Sequence, residues 1–341
     1  MLSRMKALTL APAFLSAMLS LNVAVSAFAQ ATAAKPAAQQ EAPKPPPTIV
    51  QLVRAQIDAG NIAKAENLVL GEIADGGTTP IAVEAFSWLG RGYLGLKKYD
   101  EAVKYAQRTY TIVEEQLKTR KLDDEPRLPI ALGASIEVQA QAMADQAARS
   151  EAILFLKSEM ERYKGTSIIT RLTKNLNMIG LEGQPAYAIN ATDWLTTQRT
   201  SMADLKGKPV ILFMWAHWCS DCKIFGPIVD AAIKKYRGTG LTVVPITQPF
   251  GYVARREPAS LDVERAYTLK IRDEYYPWMK DLPMPVSTEL YGMYGVSTSP
   301  TVVFVDRAGN VQNYHPGRLT TEELDSAITA ITASSSAPKR P

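Results

Sequence analysis

Cysteine and histidine are both scarce in this sequence, with two of each in 341 residues. The cysteines, Cys219 and Cys222, stand three apart in the stretch AHWCSDCK. The histidines are His217, just before that pair, and the distant His315. Because no cluster of cysteine, histidine and carboxylate residues occurs elsewhere, a metal site has no support, and no cofactor is predicted.

The sequence also lacks a run of clustered basic residues. The formal net charge of +4 falls to +2 without residues 1–29, which hold Arg4 and Lys6 and no acidic residue. Phosphate binding needs a concentrated basic face, so this near balance gives no reason to expect a nucleic-acid partner.

Long hydrophobic runs are lacking apart from one at the start of the chain. Residues 1–29 combine a basic start, an apolar stretch and small residues, which predicts a secretory signal peptide cut before Gln30. An uncleaved membrane anchor is the alternative, because residues 7–29 approach spanning length. A lipid anchor is not expected, since no cysteine follows the run. We therefore expect a periplasmic protein that touches the membrane only if this segment stays uncleaved.

Export changes the interpretation of the cysteine pair. Two lone cysteines in an oxidising compartment would normally form a structural disulfide. A disulfide that closes so short a loop, however, constrains the unfolded chain little. We therefore interpret Cys219 and Cys222 as a working dithiol.

The rest of the chain divides by composition and periodicity. Residues 30–48 are rich in Ala, Gln, Lys and Pro and predict a solvated linker. Residues 49–180 show helical spacing, whereas residues 184–335 alternate strand and helix signals. Residues 336–341 are expected to be a disordered tail. The predicted fold is multidomain, with N-terminal all-α helical hairpins followed by an α/β domain.

Three similar passages make up the helical region. In each, an alanine falls early in the second helix of a hairpin, where a small side chain lets two helices approach closely: Ala65, Ala102 and Ala152. The middle passage resembles a tetratricopeptide repeat, whose pattern it matches at Leu89, Gly90, Tyr93, Tyr99 and Ala102. Either a concave surface for a protein partner or a helical support packed on the second domain would explain such a region.

The cysteine pair follows an apolar strand signal and begins a predicted helix. Such a strand presents the first sulfur at the carboxyl edge of the sheet, and the helix N-terminus offers free N–H groups and a positive dipole end that favour thiolate over thiol. The second cysteine, one turn along, lies within reach to resolve a mixed disulfide. We therefore predict that Cys219 attacks and that Cys222 releases the product.

The α/β region resembles the thioredoxin superfamily, and more narrowly the exported TlpA/ResA type of thiol-disulfide oxidoreductase. The resemblance is carried by LKGKPVILFMWAHWCSDCKIFGP, with Pro227 at the helix-kink position, and by GVSTSPTVVFVDRAGNV, with Pro300 in the place of the family's cis-proline. It implies a thioredoxin-like fold with an insertion, residues 247–290, before that proline. It also implies that the Ser299 backbone faces the sulfurs and pairs with an extended substrate segment. We predict Trp218, Ser299 and Pro300 as substrate-binding residues.

The sequence departs from the family at two proton acceptors. Thioredoxins have a buried aspartate where this chain has Phe213, and the TlpA/ResA type has a glutamate where this chain has Phe225. Three residues near the dithiol are predicted to tune it instead: Ser220, Asp221 and His217. Asp221 is the only nearby carboxylate in sequence that could take the proton of Cys222, and it would disfavour the thiolate and make the couple more reducing; alternatively, it would serve only the helix N-terminus. His217 would offset this effect if its ring turned back to the sulfur, although a side chain at this position more often faces solvent.

Three hypotheses for function follow. The first is an exported thiol-disulfide oxidoreductase that reduces disulfide-containing client proteins, with an upstream electron-donor thiol protein and a partner on the helical repeats. The second is an interaction scaffold whose thioredoxin-like domain is not the main catalyst. A thiol peroxidase is weaker, because such enzymes do not need a C-x-x-C pair.

Overall fold

The computed structural model describes residues 45–333. The predicted signal peptide, the predicted tail and most of the predicted linker lie outside the described residues. Within the described residues, the α-helices that precede the first strand are α1 (Ile49–Asp58), α2 (Ile62–Gly76), α3 (Pro80–Gly95), α4 (Tyr99–Leu117), α5 (Arg127–Asp145), α6 (Arg149–Arg162) and α7 (Ile169–Gly180).

The first six helices form three hairpins, as the sequence predicts. Ala65, Ala102 and Ala152 are fully buried, and each is the fourth residue of the second helix in its hairpin. A Cβ added to Gly90 of α3 would lie 3.3 Å from the carbonyl oxygen of Ala102, so α3 and α4 pack almost backbone to backbone. The relation to the tetratricopeptide family stays a prediction. Of the helices between residues 45 and 333, none has both the length and the hydropathy that a membrane crossing requires.

The α/β domain follows α7 and is built on one mixed four-stranded sheet. The elements of this domain are β1 (Asp193–Trp194), β2 (Val210–Met214), α8 (Ser220–Lys235), β3 (Thr242–Ile246), α9 (Leu261–Tyr275), β4 (Pro285–Val286), α10 (Thr288–Met293), β5 (Thr301–Val305), β6 (Val311–Pro316) and α11 (Thr321–Ala333). The strands of the main sheet lie in the order β3, β2, β5, β6, with β3 parallel to β2 and the other two pairs antiparallel. A two-stranded antiparallel pair, β1 and β4, lies in a separate sheet.

The central strand β2 is buried along its whole length, as its unbroken apolar run predicts. Successive side chains of a strand point to opposite faces. Ile211 and Phe213 accordingly pack in one apolar cluster with residues of α8 and α11, while Leu212 and Met214 pack in another with residues of α10. Layers on both faces therefore hold the end of β2, from which the chain leads to the cysteines.

The last helix of the N-terminal region packs directly on the α/β domain. Asn177 of α7 is buried, and its side-chain amide donates a hydrogen bond to the Met293 carbonyl at 3.0 Å and accepts one from the Tyr187 hydroxyl at 3.2 Å. Gly295, which follows α10 with a φ of +61°, lies so close to α7 that an added Cβ would be 2.3 Å from the Lys174 backbone nitrogen. The helices and the α/β domain belong to one compact unit.

We predict that Gly295→Ala destabilises the protein by about 2–5 kcal/mol, since it adds left-handed backbone strain to a backbone overlap that no side-chain rotation relieves. Gly240→Ala is the matched control, because Gly240 has a φ of +79° and nothing within 4 Å of an added Cβ. It should cost only about 1–2 kcal/mol. Urea unfolding of both variants measures the difference, and equal losses would contradict the close contact between α7 and Gly295.

Candidate active site

Cys219 and Cys222 lie where β2 gives way to α8 and are joined by a disulfide bond. Cys219 has extended backbone angles and is the N-cap of α8, and its Sγ accepts a hydrogen bond from the Cys222 backbone N–H at 2.9 Å. The sulfur thus accepts a hydrogen bond from one of the backbone N–H groups that have no partner within the helix, because they lie in its first turn. The same N–H and the positive end of the helix dipole would stabilise a Cys219 thiolate after reduction.

The floor beneath the disulfide is apolar. Phe213 and Phe225, which stand where the family has carboxylates, are both fully buried, and their ring centroids are 6.1 Å apart. Trp215 and Tyr276 are also fully buried in the same cluster as the cysteines, with ring centroids 5.1 Å apart. Packed rings therefore occupy both positions at which a proton acceptor is expected.

His217 does not face solvent, so the orientation favoured for its position is wrong. The side chain is 1% exposed, and its Nε2 lies 3.2 Å from Oε1 of Glu264. Aromatic rings of the insertion surround the imidazole edge-on at centroid distances of 5.3 to 5.6 Å: Phe250, Tyr252 and Tyr267. The physical reason for the burial is this cage, which residues 250–267 bring over the ring from a distant part of the sequence.

Glu264 is the buried carboxylate that the sequence analysis missed. It lies in the first turn of α9, is 3% exposed, and accepts hydrogen bonds from the backbone N–H groups of Phe250 at 2.6 Å and Gly251 at 2.8 Å. With His217, these donors compensate for the burial of the charge. An acidic residue in the first turn of a helix is usually solvated, so no local signal distinguished Glu264 from its neighbours.

The hydrogen bonds of Glu264 also fix the position of an aromatic contact beside the dithiol. The ring of Phe250 lies edge-on to Trp218, with centroids 5.6 Å apart. Trp218 directly precedes Cys219 and is 47% exposed, so it forms part of the surface around the disulfide. The buried pair of His217 and Glu264 thus holds the loop at Phe250 in place, and the ring of Phe250 packs against Trp218.

Burial lowers the pKa of His217 below its ordinary value of 6.5, against the opposing effect of Glu264. The imidazole is therefore neutral at pH 7. Because Nε2 faces the carboxylate, the proton is assigned to Nε2, and Nδ1 is the acceptor nitrogen. Nδ1 is buried and has no hydrogen-bond partner among the described residues.

Asp221 and Ser220 are both exposed at the start of α8. The Asp221 carboxylate lies 3.2 Å from Nε of Arg318, and both side chains are about half exposed. This pairing and the first-turn position favour the interpretation that Asp221 serves the helix N-terminus. No hydrogen bond of the Ser220 side chain occurs within the described part of the chain.

The Ser299–Pro300 peptide bond is cis. Thr301, the next residue, pairs with Met214, so Pro300 and the residues after Met214 leave the sheet at the same edge. Pro300 is buried, and the backbone N–H and C=O of the half-buried Ser299 have no hydrogen-bond partner among residues 45–333. These groups are free to pair with an extended segment.

The lowered pKa of His217 predicts a stability that depends on pH. As pH falls below 6.5, the unfolded chain takes up a proton at this position before the folded protein does. Stability is therefore fully present above that pH and is lost below it, by at most about 1.4 kcal/mol per pH unit. His217→Gln should weaken this dependence below pH 6.5, as measured by urea unfolding. His315→Gln, which removes the other histidine, is the control, and an unchanged slope in His217→Gln would contradict the assignment.

Comparisons with known proteins converge on this domain. A family model described as a thioredoxin-like domain matches residues 197–332. The thioredoxin-like protein YneN of Bacillus subtilis (strain 168) is 29% identical over 150 residues, which cover 43% of this chain and 78% of that protein. A thiol-disulfide oxidoreductase ResA of Bacillus cereus is 27% identical over 154 residues, which cover 44% of this chain and 78% of that protein.

Solved structures give a match of similar extent. The exposed lipoprotein thioredoxin Etrx1 of Streptococcus pneumoniae strain TIGR4 is 25% identical, covers 42% of this chain and 98% of that chain, and has a TM-score of 0.32. The family match lies wholly after the seven helices and contains both the dithiol and the cis-proline. Residues 197–332 therefore form a thioredoxin-like domain, and the relatives that match this part of the chain include proteins named thiol-disulfide oxidoreductase.

Proposed function

We propose that this protein reduces disulfide bonds in client proteins outside the cytoplasm, with Cys219 and Cys222 as its catalytic residues. The observation that carries the proposal is the disulfide at the N-terminus of α8, in which Cys219 Sγ accepts the Cys222 N–H at 2.9 Å. A bond that closes so short a loop contributes little to stability, which supports a role as a reversible couple. The location rests on the signal-like residues 1–29, which lie outside the described residues.

The reduced enzyme starts the reaction. The Cys219 thiolate attacks one sulfur of the client disulfide, forms a mixed disulfide and displaces the other client sulfur as a thiolate. Cys222 then loses its proton and attacks Cys219 Sγ, which closes the enzyme disulfide and releases the second client sulfur. Two electrons pass from the enzyme to the client, and a thiol protein that acts as electron donor reduces the enzyme again.

Burial supports this assignment of the two cysteines. Cys222 is completely buried, whereas Cys219 keeps 2% exposure and follows the exposed Trp218. We therefore assign the first attack to Cys219, the cysteine beside the exposed Trp218. The free backbone groups of Ser299, beside the buried Pro300, would hold the client in an extended conformation while the sulfurs exchange.

The apolar floor restricts how Cys222 loses its proton. Phe213 and Phe225 provide no acceptor, and Asp221 is exposed and paired with Arg318. The departing client thiolate is then the base that is close to Cys222 at the moment when a proton must leave. The client thus supplies the proton acceptor that other members of the family have as a carboxylate of the protein.

The helical region supports the α/β domain through α7 in this proposal. Asn177 and Lys174 of α7 contact the segment that contains Met293 and Gly295, as described above. These contacts are what a packed support requires. A partner on the concave side of the hairpins stays a prediction.

We expect the purified protein to reduce a model disulfide protein in the presence of dithiothreitol, and both Cys219→Ser and Cys222→Ser to lose turnover. The reason is that one cysteine forms the mixed disulfide and the other resolves it. The rate of turbidity development with insulin measures this activity. Equal rates for the wild type and both variants would show that the domain acts as a scaffold.

We also expect Cys222→Ser to accumulate client proteins on Cys219, because the adduct forms and cannot be resolved. Non-reducing electrophoresis of extracts from cells that express this variant should show adducts between the variant and its clients, and these should disappear on reduction. The control is the double variant Cys219→Ser/Cys222→Ser, which should show none. Adducts that form in Cys219→Ser, which keeps Cys222, and not in Cys222→Ser would reverse the assigned order of attack.

A further inference from the structure

A cavity of about 360 Å³ lies beside the dithiol, between the start of α8 and the insertion. Trp218, which precedes Cys219, and Lys223, one turn after it on α8, form the side nearest to the disulfide. The opposite side comes from the insertion. The lining residues on that side are Tyr252, Val253, Ala254, Arg255, Arg256 and Tyr267.

The charges of this cavity have one sign. Lys223, Arg255 and Arg256 line it, and none of its lining residues is acidic. The Lys223 ammonium lies 4.1 Å from the centroid of the Tyr275 ring, and none of the three cations forms an ion pair with a carboxylate among residues 45–333. By contrast, Arg265 of the neighbouring α9 is neutralised by Asp193 at 2.8 Å. The lining of the cavity therefore carries three cations and no carboxylate, and Glu264 lies behind the wall, against His217.

The conformation of the insertion keeps the two arginines at the cavity. Arg255 and Arg256 both have positive φ values, 55° and 62°. Such a conformation costs roughly 1–3 kcal/mol for a residue other than glycine and persists only where its surroundings hold it. The two exposed guanidinium groups are thus held at the cavity by a left-handed backbone conformation that an unconstrained loop would avoid.

His217 gives an independent indication of the ligand. It forms part of the cavity wall, is 1% exposed, and has an acceptor nitrogen, Nδ1, without a hydrogen-bond partner among the described residues. A peptide brings N–H donors together with its carboxylates, whereas anions such as chloride or sulfate bring no donor. This combination favours a peptide as the occupant.

We propose that the cavity binds an acidic segment of the client protein, next to the client cysteine that exchanges with Cys219. This inference rests on the proposed function, because the bound segment and the reacting disulfide belong to one client. Exposed cations attract such a segment mainly before contact, so they raise the rate of association and are weakened by salt. The cavity would thus select clients with Asp or Glu near the disulfide.

The test uses three disulfide-bridged peptides of identical ring size, flanked by Asp-Asp, Asn-Asn or Lys-Lys. Stopped-flow tryptophan fluorescence gives the second-order rate constant for oxidation of the reduced full-length protein by each peptide. We expect the acidic peptide to react about tenfold faster than the basic one at low ionic strength, and this ratio to fall towards one at roughly 0.5 M salt because of screening. Equal rates for the three peptides at low salt would overturn the inference.

The preference should also disappear in the variant Lys223→Gln/Arg255→Asn/Arg256→Asn, because asparagine tolerates positive φ better than most residues. The matched control is Arg120→Asn/Lys121→Asn, which removes exposed cations from the helical region and should keep the preference. A preference that survives in the first variant would contradict a role for these three residues.

Three further outcomes separate the proposed function, the inference and the kind of occupant. If the wild type reacts with none of the peptides, the proposed oxidoreductase function fails together with the inference. If it reacts with the neutral peptide but shows no charge preference, only the inference fails. Faster reaction with glutathione disulfide than with the acidic peptide, lost in the triple variant, would assign the cavity to a small anionic disulfide and overturn the client segment as its occupant.

Discussion

The hydrogen bond from the Cys222 backbone N–H to Cys219 Sγ is the interaction on which the rest of the site depends. It ties the first sulfur to the beginning of α8 at 2.9 Å, and it is available because a helix N-terminus has N–H groups without internal partners. The buried strand β2 delivers the chain to this point, and layers on both faces of the sheet hold that strand. The fold therefore fixes the backbone N–H of Cys222, and this N–H in turn fixes the position of the Cys219 sulfur.

The buried carboxylate near this site lies in an unexpected place. Phe213 and Phe225 make the floor apolar, whereas Glu264 lies behind His217, in a helix of the insertion. Its hydrogen bonds to the loop at Phe250 hold the ring that contacts Trp218. The buried carboxylate thus holds the loop beside Trp218 in place, while the aromatic side chains beneath the disulfide provide no proton acceptor.

Features that depend on local sequence could be predicted, and features that depend on long-range packing could not. The four strands of the main sheet, the buried alanines and the location of Cys219 at the start of a helix all follow from periodicity and from residue types within one or two turns. The cis conformation before Pro300 followed from resemblance to a family. His217 and Glu264, by contrast, are 47 residues apart, and only the folded insertion brings them together. Histidine two positions before the cysteine looks solvent-exposed until that insertion covers it.

The contact between α7 and the segment after α10 limits how the two halves of the chain can be recombined. At Gly295 two backbones meet with no room for even a methyl group. Nearby, the Tyr291 hydroxyl of α10 donates a hydrogen bond to the Trp215 carbonyl, at the end of the active-site strand. A related redox domain grafted onto these helices would therefore need a glycine at this junction, and a poor fit there would be transmitted within a few residues to the sulfurs. In this protein the helical half is a fitted part of the catalytic half and not an exchangeable cassette.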